Sequence, residues 1–411
     1  MKKTILKHFD QSPLSLHADK MSFNYLSDEI LRGFDTYKYS SVDNSPVSNY
    51  VTHPFWNWVV KFLPRWLAPN LMTLAGFVQL LVNFFLLTYY DPHFWAASDQ
   101  VLEYPPIPAW VWLVCGLNNF ISHTLDGCDG KQARRTNSST PLGELFDHGL
   151  DSWAALCLPV AIYSVFGRDD WGANAYTFYL VLACVLGCFI MSHWEKYNTG
   201  ILFLPWGYDI SQLVSETCLF ISPRIYKGFI NYLYCFCYTN VSSISVGSLG
   251  MSLPMTMYNV YRAYKDKTGK MYGFYEAMRP LLSCFALFIL ITLWIYLSPA
   301  NILLHQARLV YWTLGTIFSN ITCRLIVSQM SSTRCSGFNW LLVPLILVVG
   351  AVLCTTLAKY EMEMAWGLCI FVTIAHIHYG FNVVRQLCDK LNIYALTLEK
   401  REKVTNNLKR K

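Results

Sequence analysis

Apolar runs of close to twenty residues recur from residue 71 to residue 384, and this recurrence restricts the chain more than any other feature. A helix crossing a bilayer needs about 20 mostly apolar residues, because it rises ~1.5 Å per residue through a hydrocarbon core of ~30 Å. Runs of that kind lie at 71–90, 108–125, 152–167, 174–193, 208–223, 243–261, 281–298, 308–327, 339–358 and 364–384, the fifth diluted by Ser211, Ser215, Glu216 and Thr217. Charged residues make up only 14% of the chain, against about 25% in soluble domains. The fold class expected is therefore an all-α polytopic membrane protein with about ten transmembrane helices.

Basic residues are retained on the cytosolic side of a membrane. With both termini cytosolic, ten spans leave only Arg168, Arg224, Lys227, Arg308 and Lys359 of the 32 Lys and Arg on the other side. The formal charge of +6 is thus gathered in connections and tails, which points to topology rather than to nucleic acid. The first sixty residues carry no signal-peptide pattern. The stretch His53–Trp66 mixes aromatic, aliphatic and basic residues at helical spacing, as an interfacial helix would. The fourteen cysteines are scattered, and Cys115, Cys184, Cys188, Cys284 and Cys354 fall inside apolar runs, so most read as buried free thiols. His376 and His378, two apart on a helix, point to different sides and suit polar interhelical contacts better than a shared metal. Of the glycosylation sequons, only Asn240-Val241-Ser242 falls on the far side; Asn137 would be cytosolic and Asn320 lies within a span.

Chemistry concentrates in Leu125-Asp126-Gly127-Cys128-Asp129-Gly130-Lys131-Gln132-Ala133-Arg134-Arg135 and Gly143-Glu144-Leu145-Phe146-Asp147-His148-Gly149-Leu150-Asp151. On helices, Asp126 and Asp129 share one face, as do Asp147 and Asp151, and the polar turn between would bring the faces together. Four carboxylates at the membrane edge repel one another and require a positive partner. Hard divalent cations take oxygen ligands, and two such ions can clamp the attacking and leaving oxygens of a phosphoryl displacement. Gly127 and Gly130 remove side chains where a substrate would approach the backbone. Lys131, Arg134 and Arg135 are placed to hold a pyrophosphate.

The pattern Asp126-x-x-Asp129-Gly130-x-x-Ala133-Arg134, then Gly143-x-x-x-Asp147-x-x-x-Asp151, resembles the signature of the CDP-alcohol phosphotransferase family at every fixed position. Lys131–Leu150, Ser192-His193-Trp194-Glu195-Lys196-Tyr197-Asn198-Thr199-Gly200 and Ser331-Ser332-Thr333-Arg334-Cys335 are similar to the eukaryotic choline and ethanolamine phosphotransferases. From about residue 25 to 395 the likeness is strongest to ethanolaminephosphotransferases of the selenoprotein I type. Vertebrate members of that type carry a selenocysteine in the tail; this sequence ends Asn407-Leu408-Lys409-Arg410-Lys411 without one, so a redox role for the tail is not carried over.

The resemblance implies that the first six spans hold the family fold. The expected divisions are a cytosolic segment 1–69, a catalytic region 70–262, a four-helix region 263–385 and a basic cytosolic tail 386–411. It also implies transfer of phosphoethanolamine from CDP-ethanolamine to diacylglycerol, or alkylacylglycerol, with release of CMP. Two divalent ions, Mg²⁺ or Mn²⁺, would be held by Asp126, Asp129, Asp147 and Asp151. A homodimer in the endoplasmic reticulum or Golgi membrane, with a cytosolic active site, is implied as well. CDP-alcohol binding falls to Asn70, Gly127, Gly130, Lys131, Ala133, Arg134 and Glu144. On pattern alone Asn70 is a helix N-cap, and Glu144 is either an acceptor for the cytosine amine or ribose, or a surface charge.

An attacking alcohol needs a proton acceptor. His148 has a suitable intrinsic pKa; it either serves as base or orients Asp147 and Asp151, and Asp151 is the competing base. Glu195, Tyr197 and Asp209 offer acceptors for a primary ammonium, while Trp194, Trp206 and Tyr208 would suit a quaternary one or an aromatic belt at the interface. Choline or dual specificity therefore stays open, and a polytopic cation transporter is the alternative from another class.

Overall fold

The computed structural model describes residues 23–43, 45–97, 103–168, 173–204, 206–220, 252–354 and 356–399, with the backbone alone for 206–211 and 214. In chain order the α-helices of seven residues or more are α1 (His53–Val59), α2 (Pro69–Tyr90), α3 (Ala109–Arg135), α4 (Pro141–Phe166), α5 (Ala175–Thr199), α6 (Trp206–Phe220), α7 (252–265), α8 (Phe274–Leu297), α9 (Ala307–Ser331), α10 (Leu342–Leu353) and α11 (Glu361–Leu391). Two three-residue strands, β1 (Ser41–Asp43) and β2 (Leu202–Leu204), pair in parallel with Ser41 opposite Leu202.

Helices α2, α4, α5, α8 and the stretch Ala358–Leu391 are long and apolar enough to cross a membrane. The chain is therefore a multi-pass helical membrane protein. The expected span at 108–125 is the front of a helix that continues through the acidic motif to Arg135. The span expected at 152–167 starts earlier, at Pro141, behind an N-cap in which Thr140 accepts from the Gly143 N–H. The run at 339–358 yields a helix of only 12 residues, about 18 Å of rise, well short of a full crossing. Helix α6 covers the expected span at 208–223 as far as Phe220 and α7 covers 252–261 of the one expected at 243–261; the rest of both, together with Asn240, lies outside the described residues.

Helix α9 is the axis of the bundle. All of its 25 residues except Cys323 and Arg324 are buried, although it carries Thr313, Thr316, Ser319, Asn320 and Thr322. Such residues are costly against lipid and useful between helices. Ser319 Oγ meets Ser152 Oγ of α4 at 2.6 Å and His376 Nε2 of α11 at 3.1 Å, and Asn320 Nδ2 lies 3.3 Å from His376 Nδ1. His378 points elsewhere, to the Tyr25 hydroxyl at 2.9 Å. His376 thus makes the interhelical contacts expected of the pair, whereas His378 bonds a residue outside the helices. One hydrophobic core joins Phe77, Trp153, Leu156 and Tyr179 to Trp294, Trp312 and Phe318; it runs straight across the expected division at residue 262. None of the twelve described cysteines forms a disulfide.

The segment from residue 23 to 43 is strapped over one end of this bundle. Leu26 and Phe34 pack against Leu142, Met330, Tyr379 and Leu387, and the Gln386 side chain accepts from the Tyr25 and Leu26 N–H groups at 2.9 and 3.1 Å. Gly33 is needed there, because a Cβ would lie 2.0 Å from the Ser331 carbonyl oxygen. The interfacial helix expected over 53–66 ends at Val59, the chain then turning ahead of Pro64. Trp58 on the helix and Phe62 and Trp66 in the turns after it are exposed, while Trp56 is buried beneath.

At the opposite end Arg308, one of the few basic residues placed outside by the sequence, is buried. Its Nε donates to the Asp91 carbonyl at 2.8 Å, its Nη2 donates to Ser164 Oγ at 2.5 Å and stands 3.8 Å from the Asp91 carboxylate, and its guanidinium lies 3.9 Å from the Phe94 ring centroid. Asp91 also accepts from the Trp95 and Ala96 N–H groups. The ends of α2, α4 and α9 are fastened by this pair. Arg308→Met should cost about 3–5 kcal/mol by stranding a buried carboxylate, and Asp91→Asn added to it should recover part of that loss; thermal unfolding in detergent measures both.

Candidate functional site

Helices α3 and α4 approach at the strapped end, joined by the turn 136–140 in which Asn137 takes a positive φ of 52°. Asp126 and Asp129 stand one turn apart on α3, and Asp147 and Asp151 one turn apart on α4. Their faces meet: one carboxylate oxygen each from Asp126, Asp129 and Asp147 lie within 4.8 Å of one another, and so do ligand atoms of Asp147, His148 and Asp151. Asp147 belongs to both groups. Around an octahedral ion with bonds of ~2.1 Å, ligand oxygens sit about 3.0 Å apart when adjacent and about 4.2 Å apart when opposite. The two oxygen-rich groups therefore fit hard divalent cations, and mutual repulsion of the carboxylates supplies the reason to bind them. Thr73 of α2 donates to Asp129 Oδ2 at 2.5 Å, which fixes one carboxylate from behind. Nothing in the sequence motif points to Thr73.

His148 lies against this cluster. Its Nδ1 is 3.8 Å from Asp147 Oδ2 and 3.7 Å from Asp151 Oδ2, too far for a hydrogen bond yet near enough for attraction. Its Nε2 is buried and has no hydrogen-bond partner among the described residues. Lys131 and Arg134, on the last turns of α3, form no ion pair among the described residues. Partial burial, with Arg134 beside it, pulls the Lys131 ammonium below its ordinary value. Two cations that repel each other and face no anion suit an incoming phosphate. Gly130 is exposed, with nothing nearer a built Cβ than the Arg134 guanidinium at 3.7 Å, and Ala133 is half-buried on the same helix.

Several residues take other places. Arg135 does not face a phosphate: it donates to the Val60 and Leu63 carbonyls at 2.6 and 2.7 Å, and Gln132 donates to the Pro64 carbonyl at 2.8 Å. Together they fasten the end of α1 to α3, as a cation at a helix C-terminus does. Gly127 makes room for Trp56 rather than for open backbone, since a Cβ would lie 2.1 Å from the indole Cε2. Asn70 is not the N-cap of α2: Ala68 holds that position, Pro69 follows, and the Asn70 amide donates to the Ala395 carbonyl at 2.9 Å. Pro69 supplies the preset φ of a first helical residue and displaces Asn70 into the helix.

Glu144 is neither a surface charge nor a free acceptor. Tyr37 of the strap donates to its carboxylate at 2.6 Å, and the Lys196 ammonium of α5 forms a close ion pair with it. Lys196 also donates to the Tyr37 hydroxyl at 3.0 Å and lies 5.0 Å from the Tyr39 ring centroid. Burial, and then the neighbouring Glu144 charge, pushes the Tyr37 phenol far above its ordinary value, so it stays a donor. The signal missed in the sequence was Lys196, the single cation between residues 194 and 207, which lies in the last turn of α5.

The headgroup residues separate. Glu195 turns to α7, where Thr256 and Asn259 donate to its two oxygens at 3.1 and 2.7 Å. The Tyr197 hydroxyl accepts from the Cys335 N–H at 3.3 Å and its ring stacks on Tyr272. Trp194 donates to the Ala277 carbonyl at 2.6 Å. These contacts join α5 to the helices that follow it and do not collect at the carboxylates. Asp209, Trp206 and Tyr208 fall where side chains lie outside the described residues.

A family model described as CDP-alcohol phosphatidyltransferase matches residues 66–204, the segment that carries all four aspartates. Proteins named ethanolaminephosphotransferase 1 from Mus musculus and Homo sapiens are 50% and 51% identical over 386 and 385 residues, covering 92% of this chain and 96% of theirs. The chain belongs to the CDP-alcohol phosphatidyltransferase family. A relative in Saccharomyces cerevisiae named choline/ethanolaminephosphotransferase 1 is 29% identical over 409 residues, covering 93% of this chain and 99% of its own. Within this phosphatidyltransferase site, Gly127→Ala should cost about 1–3 kcal/mol by overpacking, and Trp56→Ala should relieve the clash in the double variant; paired melting curves test this.

Proposed function

We propose that the chain transfers phosphoethanolamine from CDP-ethanolamine to diacylglycerol or alkylacylglycerol, giving phosphatidylethanolamine or its ether analogue and CMP. The convergence of Asp126, Asp129 and Asp147 within 4.8 Å carries the phosphoryl-transfer reading. The choice of ethanolamine over choline rests on the relatives that are half identical along nearly the whole chain.

In this reading Asp126, Asp129, Asp147 and Asp151 hold two divalent ions, Mg²⁺ or Mn²⁺. When bound, such ions neutralise charge on the transferred phosphoryl and leaving phosphate oxygens. Lys131 and Arg134 hold the pyrophosphate, with exposed Gly130 leaving room for it against α3. The lipid hydroxyl gives its proton to His148 Nε2 as oxygen attacks the phosphorus bearing ethanolamine. Asp147 and Asp151, facing Nδ1, stabilise the imidazolium that forms. The site faces the cytosol with both termini, and the exposed Trp58, Phe62 and Trp66 sit in the headgroup layer. The endoplasmic reticulum or Golgi location and the homodimer rest on family resemblance alone.

The test is CMP release by the purified chain in detergent with diacylglycerol and Mg²⁺, comparing CDP-ethanolamine with CDP-choline, with and without chelator. Chelator-sensitive turnover preferring CDP-ethanolamine is expected; equal rates would give dual specificity, and no turnover by a nucleotide-binding preparation would sink the reading. Asp129→Asn should abolish turnover at every pH and divalent-ion concentration tried, and retained activity would remove it from the ligand set. His148→Ala should lower turnover by about 100-fold or more with CDP-alcohol binding nearly intact. A loss of binding instead would make it an orienting residue for the aspartates.

A further inference from the structure

A second imidazole backs the first. His193 of α5 is buried, and its ring centroid lies 5.5 Å from that of His148 at an interplanar angle of 65°. Phe189, one turn earlier, stands 5.0 Å from His193 on the same helix. The Gln329 amide nitrogen of α9 donates to His193 Nδ1 at 3.2 Å. A neutral imidazole that accepts at Nδ1 carries its proton on Nε2. The amide therefore selects the tautomer and, with Phe189, restricts the ring plane.

The rest of Gln329 argues against a role in stability alone. Its Oε1 is buried with no hydrogen-bond partner among the described residues, and an unsatisfied buried acceptor is destabilising. An apolar side chain of the same length would fill the position without that cost. The residue also lies far beyond residue 204, where the family match ends, on the helix that runs through the middle of the bundle.

We propose that Gln329 and His193 are positioning residues for the transfer reaction. Gln329 fixes His193, and His193 holds the His148 ring with Nδ1 toward Asp147 and Asp151, leaving the unpartnered Nε2 to take the proton of the lipid hydroxyl. The proposal rests on His148 being the base. A base works only within hydrogen-bond reach of the proton it takes, and displacement of a reacting group by about 1 Å costs up to ~100-fold in rate. The half of the chain beyond the family match thus reaches the reaction through a side chain that touches no substrate.

The experiment measures turnover of the full chain in detergent, normalised to sites that bind CMP. Gln329→Met should lower kcat by about tenfold, with KM for CDP-ethanolamine and CMP affinity within about twofold, and His193→Ala should do the same. In a His148→Ala background Gln329→Met should have no further effect, because residues acting as one unit are not additive. An unchanged kcat per CMP site, or an equal drop in the His148→Ala background, would overturn the proposal. Should Gln329→Met fail to bind CMP, Gln329→Asn, which withdraws the amide by one methylene, carries the same expectations and the same overturning result. Full turnover in His148→Ala alone defeats the base assignment and this proposal with it; a Gln329 effect confined to proteins that retain His148 defeats neither.

Discussion

Four carboxylates held together at the edge of an apolar slab are the constraint around which the rest of the structure is arranged. Left to themselves they would separate, since each would be better solvated and less repelled in water. The chain holds them by placing two on α3 and two on α4 and bracing both helices. Thr73 of α2 steadies Asp129, Arg135 and Gln132 fasten α1 against the far side of α3, and Lys196 of α5 grips Glu144 one turn before Asp147. Each brace comes from a different element. The cluster is preorganised because its neighbours, rather than the carboxylates, supply the attraction.

The same logic explains the strap. Residues 23–43 would be a flexible leader if they met only water, but Leu26 and Phe34 fill an apolar recess between α4, α9 and α11, and Tyr37 closes the Glu144–Lys196 pair. Parallel pairing of β1 with β2 carries the strap on to the loop behind α5. A polar pair buried at the membrane edge thereby gains a third member from a segment distant in sequence. At the other end Arg308 and Asp91 perform the corresponding task for α2, α4 and α9.

Much of the site was legible because its signals are local. The spacing of Asp126, Asp129, Asp147 and Asp151 places each pair on one helical face whatever surrounds them, and His148 is covalently next to Asp147. Other residues were misread because their partners are remote. Gly127 looked like an opening for substrate, yet Trp56 fills it; Arg135 looked like a phosphate ligand, yet it caps a helix seventy residues earlier in the chain. Glu195 and Tyr197 have the right chemistry for a headgroup, but neighbours at 256, 259, 272 and 335 engage them.

The sequence by itself determined a helical membrane protein, its family and the four aspartates, because apolar run length and helical periodicity depend only on residues a few positions apart. Only the tertiary structure decided that α9, one more apolar run in the sequence, is the buried axis of the bundle. It also decided which cations lack an ion pair among the described residues and which secure the fold, and that Gln329 stands behind His193 and His148. Those outcomes depend on which faces are brought together across hundreds of residues, and no local spacing encodes that choice.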